Sequence, residues 1–315
     1  MKALAIDLGG THATCAIVED RSILASEVVA ANGSVGLLPA LPEIVRAFRR
    51  LLELTHVKTS DCLGLAFSFC ALVDARTSKI LSTNQKYDDA QGFDLVAWAK
   101  NEFCLRLALE NDARMALLGE HYAGAGRSFN DIVMTTLGTG IGGAAMISGK
   151  LLRGKHAQAG CLGGHIPVRF GGRQCTCGAI GCAEAEASGW SLPLIAKDWP
   201  GFAQSRLAQE KSVNFEALFR LAHEKDPVAI ALRDRCLLVW ATATVGLIHA
   251  YDPEIVIFGG GVMKSADVIL PFIQSYVEKH AWTPWGKVKV RPAEVGNNAG
   301  ILGAIPLLTE QTTQE

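Results

Sequence analysis

The sequence predicts an α/β protein of two lobes built on a duplicated core, and three observations carry that reading. Two segments, AIDLGGTHATCAIVED from Ala5 and MTTLGTGIGGAAMISG from Met134, each run an apolar strand into a Gly/Thr turn and out into a second apolar strand. Laid over each other, Leu8 meets Leu137, Gly9 meets Gly138 and Ala16 meets Ala145, a unit that recurs after about 130 residues as a duplicated domain would. Around these hairpins strand and helix patterns alternate, which argues for a parallel or mixed sheet covered by helices. The length, 315 residues, exceeds one average domain, so two lobes with a cleft fit better than a single unit. The competing reading is two ordinary hairpins of one sheet.

Taken in order, MKALAIDLGG passes from one Lys into an apolar run that ends at an Asp and two glycines, the pattern of a buried strand and not of a signal peptide. Between the hairpins the periodicity predicts a helix over 37–54, a strand over 63–69 and a helix over 93–103. A strand over 106–109 and a helix from Asp112 through His121 complete this part. From Arg153 to Glu186 the chain is rich in Gly, Cys and His and has no sustained period, so it reads as an ordered loop held by something other than a core. Helical patterns resume at Ser188, Val213 and Pro227–Tyr251. An apolar strand, Ile255–Phe258, three glycines and a helix from Lys264 follow.

Lys plus Arg (30) nearly cancels Asp plus Glu (31), which leaves no basic field for a polyphosphate backbone and argues against nucleic acid as a partner. No apolar stretch reaches the ~20 residues of a membrane-spanning helix. The chain therefore reads as soluble and cytoplasmic. Cys15, Cys62, Cys104 and Cys236 stand singly in apolar contexts and are expected as buried hydrophobes.

Asp7-Leu8-Gly9-Gly10-Thr11 puts a carboxylate at a strand end and glycines where the backbone turns, so N–H groups face a phosphate and Asp7 is placed to hold Mg²⁺. An ordinary hairpin turn is the alternative. Gly138-Thr139-Gly140 offers a second such turn, and two opposed turns suit a triphosphate. Gly259-Gly260-Gly261 fits either the close approach of a purine or ribose or a tight strand-to-helix connection. Glu110-Asn111-Asp112 stands where a strand gives way to a helix; a carboxylate there either reaches a ligand hydroxyl or caps the helix. His165 with Cys175, Cys177 and Cys182 is the ligand set of a closed, structural tetrahedral zinc site. Such a metal would brace the coreless loop and hold Glu184, two residues beyond Cys182.

Together DLGGTH, ENDA, LGTGIGG, the GH…CTCGAIGCAE loop and IVIFGGG resemble the ROK family of sugar kinases and repressors, in order through most of the chain. The resemblance implies two actin-like (ribonuclease H-like) α/β domains with a central cleft, closing over ATP and a hexose, in a homodimer. The implied boundaries are 1–115 with 299–315 for the N-terminal domain and 116–298 for the C-terminal domain with its zinc loop, 153–186. It implies Asp112 as the general base toward the sugar hydroxyl, with Asn111, Glu184 and His165 lining the sugar and His165 also serving zinc. Asp7, Gly9, Gly10 and Thr11 match the first phosphate motif, Gly138, Thr139 and Gly140 the second, and Gly259, Gly260 and Gly261 the adenosine motif. Asn84 matches a further sugar contact. The family's repressors carry an N-terminal helix-turn-helix, whereas this chain starts at the kinase strand. A sugar sensor without catalysis, or a kinase of another small polyol, are the rival readings.

Two departures fall on the sugar side. The family's E-x-G-H is replaced by Gly160-Cys161-Leu162-Gly163-Gly164-His165, without the carboxylate, and its early Gly/Pro-rich segment by Ser68-Phe69-Cys70-Ala71-Leu72-Val73-Asp74. Tyr87-Asp88-Asp89 is also unusual there.

Overall fold

The computed structural model describes residues 1–83 and 86–312, so Asn84 lies outside the described residues. The chain forms two compact units. One comprises Met1–Ser128, Leu151–Cys161 and the segment from Glu294 onward; the other comprises Phe129–Lys150 and Leu162–Ala293. These limits differ from 1–115 and 116–298 because the helix that begins at Asp112 runs on to Ala123 inside the first unit, and because 151–161 return to it. Buried Arg114 explains that return: its guanidinium donates to the carbonyls of Ala157 (2.9 Å) and Ala159 (2.7 Å).

In the first unit β1 (Lys2–Leu8), β2 (His12–Glu19), β3 (Ser22–Ala30), β4 (Cys62–Phe69) and β7 (Leu107–Asn111) form one sheet in the order β3-β2-β1-β4-β7. β1–β2 and β2–β3 are antiparallel, whereas β1–β4 and β4–β7 are parallel. A separate hairpin, β5 (Leu72–Asp74) with β6 (Lys79–Ser82), stands beside it. Helix α1 (Leu41–Thr55) buries Ile44, Val45, Ala47, Phe48 and Leu51, one stripe of a 3.6-residue period. Each of the four larger side chains among them contributes about 1.5–3 kcal/mol when removed from water. Phe48 meets Phe103 of α2 (Leu95–Phe103) edge to face at 5.4 Å. Helix α3 (Asp112–Ala123) completes the N-terminal part of this unit.

The second unit repeats the plan. β8 (Ile132–Leu137), β9 (Ile141–Ile147), β10 (Lys150–Leu151), β11 (Ile255–Gly259) and β12 (Lys289–Pro292) lie in the order β10-β9-β8-β11-β12, with β8–β9 antiparallel and β11 parallel to both β8 and β12. Strand for strand this is the first sheet again, so the repeat read in the sequence is a repeat of topology. Its helices are α4 (Ala183–Ala187), α5 (Leu192–Lys197), α6 (Phe215–His223), α7 (Pro227–Tyr251) and α8 (Ala266–His280). The stretch 153–186, read as irregular, holds a 3-10 turn at Gly163–His165 and the start of α4. Two helices at the end of the chain, α9 (Ala299–Leu302) and α10 (Ala304–Thr312), pack back on the first sheet.

Among the single cysteines, Cys15 and Cys236 are buried as expected, but Cys62 is half-buried and Cys104 exposed. Cys104 closes α2 in the left-handed conformation (φ 57°), the cap position just past the helix end. No helix of the described residues is long and apolar enough to cross a membrane.

Candidate functional site

The parallel strands of the first unit set out its polar residues in a row. Register places Asp7 beside Ser68 and Ser68 beside Glu110, with Asn111 ending β7 and Asp112 following it at once. Ligands of open α/β sheets bind beyond the carboxyl ends of such strands. Ser68 Oγ donates to Asp7 Oδ1 at 2.7 Å. Gly300 is required at its place, because a Cβ there would lie 2.7 Å from the Asp7 carboxyl. Burial raises the Asp7 pKa above its ordinary value, against the lowering effects of the Ser68 hydroxyl and His12.

Asn111, not Asp112, caps α3: its Oδ1 accepts from the amides of Ala113 (3.1 Å) and Arg114 (3.3 Å). Asp112 is the first residue of the helix, and its Oδ1 accepts from Ala113 N at 2.8 Å and from Asn111 Nδ2 at 2.9 Å. The residue keeps surface open to solvent although protein crowds its carboxyl. That crowding, and next the charge of Asp7, push its pKa up to about 6. Glu110, buried, receives Arg153 Nε at 2.7 Å and faces Arg114 at 3.5 Å, so it is held in an ion-pair network.

Both glycine turns are gripped from behind. Gly9 O accepts from Tyr87 Oη (2.6 Å), Gly10 O from Gly33 N (2.9 Å) and Thr11 O from Ala31 N (3.2 Å). In the second unit Gly138 O accepts from Gly189 N (3.0 Å) and Thr139 O from Trp190 N (2.9 Å). A trans peptide points its N–H opposite to its C=O, so these bonds turn the amides of Gly10 and Thr11, and of Thr139 and Gly140, the other way. The amides of Gly9 and Gly138 are used inside the turns, on His12 O (2.9 Å) and Gly140 O (3.0 Å). A Cβ at Gly10, Gly138 or Gly261 would meet no atom within 4 Å, whereas at Gly260 (φ +90°) it would come 2.3 Å from Leu137 O. Gly260 is thus needed by the chain's own packing, and Gly261 is open.

His165, Cys175, Cys177 and Cys182 come together with their ligand atoms all within 4.8 Å of one another. Cys177 Sγ to Cys182 Sγ is 3.7 Å and Cys175 Sγ to His165 Nδ1 is 3.4 Å. A tetrahedron with Zn–S bonds of about 2.3 Å has edges of about 3.8 Å, so the donor set fits zinc in both chemistry and spacing. Glu184 is held by neighbours beyond that loop: its Oε2 accepts from Ile141 N (2.8 Å) and its Oε1 from Trp190 Nε1 (3.2 Å). Where the carboxylate of E-x-G-H is missing, the Cys161 thiol donates to Gln158 O (3.4 Å) and Leu162 is 44% exposed. Gly164 lies against β9, where a Cβ would stand 2.0 Å from Ile141 O.

Residues 3–311 match the model of the ROK family. The chain belongs to the ROK family. This ROK protein is 30% identical over 321 residues to the glucokinase of Thermotoga maritima, covering 99% of this chain and 98% of that relative. Its structure is similar to the ROK hexokinase of Thermus thermophilus (28% identity, TM-score 0.80, all of both chains). It is equally similar to a ROK family glucokinase of Streptomyces griseus in complex with glucose and AMPPNP (28%, TM-score 0.80, 98% of this chain and 100% of that one). The fold is the two-domain actin-like (ribonuclease H-like) fold that the resemblance implied.

Several residues that shape the ROK site escaped the sequence reading. Tyr87 is fully buried with its hydroxyl on Gly9 O, and Asp89 accepts from the amides of Leu37 (2.7 Å) and Leu38 (2.9 Å), so the unusual Tyr-Asp-Asp run ties the first turn and the start of the 37–54 segment to one loop. Buried Glu120 collects the amides of Ala125 (2.9 Å), Glu294 (3.0 Å) and Val295 (2.9 Å), fixing the segment that leads to Gly300. Only the rarity of a Glu inside an apolar helix face signals it.

Proposed function

We propose that this chain transfers the γ-phosphoryl group of ATP to a hydroxyl of a hexose or hexose derivative. The observation that carries the reading is Asp112: a carboxylate raised to about 6, oriented by Asn111 at the carboxyl end of a parallel strand, beside Asp7. Phosphoryl transfer asks little covalent chemistry of a protein, so positioning and charge stabilisation carry the rate. With a pKa about 6, Asp112 is mostly ionised at pH 7 and accepts the proton as the sugar oxygen attacks. The outward amides of Gly10 and Thr11 and of Thr139 and Gly140 donate to phosphate oxygens. Asp7 offers the hard oxygen ligand that Mg²⁺ takes, and the bound ion would neutralise charge on the transferring phosphate.

Asn111, His165 and Glu184 contact the sugar in this reading, as does Asn84. His165 turns Nδ1 toward Cys175 Sγ (3.4 Å), which leaves Nε2 for a substrate hydroxyl. Gly259–Gly261 take the adenosine, with open Gly261 as the face of closest approach. The T. maritima and S. griseus relatives, named as glucokinases, support a sugar as acceptor. A panel of hexoses, amino sugars, polyols and nucleosides, assayed by ADP release with and without Asp112→Asn, tests the proposal. Sugar-dependent ADP release lost in the variant is expected; release with no acceptor in the panel overturns it.

A further inference from the structure

The second turn is held by the seven residues from Glu184 to Trp190, and these start two positions after Cys182 of the candidate zinc set. On one side the segment is anchored to α7: Trp240 Nε1 donates to Ala187 O (2.9 Å), and Arg235 pairs with the buried Glu186, whose carboxylate also takes Arg173 N (2.6 Å). Directly after it Ser191 Oγ donates to Glu184 O (3.1 Å) and accepts from Ser188 N (3.0 Å). On the other side three bonds reach the turn. They are Gly189 N to Gly138 O (3.0 Å), Trp190 N to Thr139 O (2.9 Å) and Ile141 N to Glu184 Oε2 (2.8 Å).

Trp190 takes part twice. Its amide fixes the Thr139 carbonyl, and its indole N–H holds the Glu184 carboxylate (3.2 Å) under Gly140, where a Cβ would come 2.6 Å from Oε2. A carboxylate with one oxygen on an amide and the other on an indole cannot rotate without breaking a bond. The main-chain bonds of Gly189 and Trp190 aim the amides of Thr139 and Gly140 outward, and the locked carboxylate adds a hold on the Ile141 amide at the far end of the same turn.

We propose that Trp190 is a positioning residue for the nucleotide: it locks Glu184 beneath the Gly138–Gly140 turn and so transmits the order of the metal loop to the phosphate-binding amides. The inference rests on reading that turn as a phosphate binder. Trp190→Phe keeps the ring and the main-chain bond but removes the indole donor, and Trp190→His restores a ring N–H. For the full chain, calorimetry with Mg²⁺ and AMPPNP is expected to show roughly tenfold weaker binding for the Phe variant, as for a lost bond to a charged group. Recovery in the His variant, unchanged metal content, and an Ile141 amide that exchanges faster in the Phe variant are expected with it. In steady state KM for ATP rises while kcat at saturation stays within about twofold. Chelation of the metal should speed Ile141 exchange as well. Unchanged AMPPNP affinity and Ile141 exchange in the Phe variant overturn this proposal and leave the kinase reading standing. Failure of the unsubstituted protein to bind AMPPNP removes both.

Discussion

The side-chain amide of Asn111 donates to Asp112 Oδ1 at 2.9 Å while the other end of the same amide caps the helix that Asp112 begins. In the proposed reading the cap and the base therefore fall on neighbouring residues, and Asp112 can be altered while the Asn111 cap stays in place. Asp112→Asn should lower kcat by roughly 10² to 10⁴, with sugar KM changed little and the melting temperature within a few degrees. Asn111→Ala should instead cost about 1 kcal/mol of stability through the lost cap. Steady-state kinetics and thermal unfolding of the two variants separate the roles; an undiminished kcat in Asp112→Asn rules out the base.

In the proposed reading the raised pKa of Asp112 sets the acidic limb of the rate profile. The carboxylate must be ionised to take a proton, so kcat/KM should fall as pH drops through about 6, about two units above an ordinary aspartate. Burial and the charge of Asp7 both favour the protonated form, hence the upward sign. Asp7→Asn removes the repulsion and should move the limb of any residual activity downward. A limb near pH 4 in the unsubstituted enzyme contradicts the assignment.

Four ligand atoms spaced for a tetrahedron predict about one zinc per chain. Cys177→Ser should lose the metal and protease resistance across 165–182, because the loop has little core apart from Cys175, Cys182 and Ala185. Elemental analysis after gel filtration, paired with limited proteolysis, decides this. Full activity in a zinc-free sample removes the metal from the account.

Tyr87 holds the first turn through a single hydroxyl on Gly9 O at 2.6 Å. Tyr87→Phe preserves the packing against Phe69 and deletes that bond, at a cost of about 1 kcal/mol. The expected result is a several-fold higher KM for ATP and an unaltered metal content. Equal KM values in the two proteins show that Gly33 and Ala31 suffice to orient the turn.

The missing carboxylate before His165 bears on substrate choice. With the Cys161 thiol turned to main-chain carbonyls and Leu162 exposed, a sugar hydroxyl buried there would go unpaired at ~1–3 kcal/mol. Glucose is expected to be a poor substrate, and a sugar altered at carbon 1 or 2 a better one. Comparing kcat/KM for glucose, 2-amino and 2-deoxy sugars, fructose and a 1-substituted glucose tests this, and a tenfold preference for glucose refutes it.

Local patterns made much of this protein readable before its fold was known. The twin hairpins at Gly9 and Gly138, the span of α7 from Pro227 to Tyr251 and the Cys-x-Cys-x₄-Cys set with His165 all depend on neighbours a few residues away or on composition, so periodicity and spacing reveal them. The C-terminal helices went unread, and so did the short strands β5, β6 and β12, because each takes its form from the sheet or hairpin it joins. Tertiary structure alone decided which residue of Asn111-Asp112 caps α3, why Tyr87 is buried, and that Glu184 bonds to Ile141 and Trp190. The bonds of Tyr87 to Gly9 and of Ile141 to Glu184 join residues 78 and 43 positions apart, and only the folded packing brings such groups within hydrogen-bonding reach.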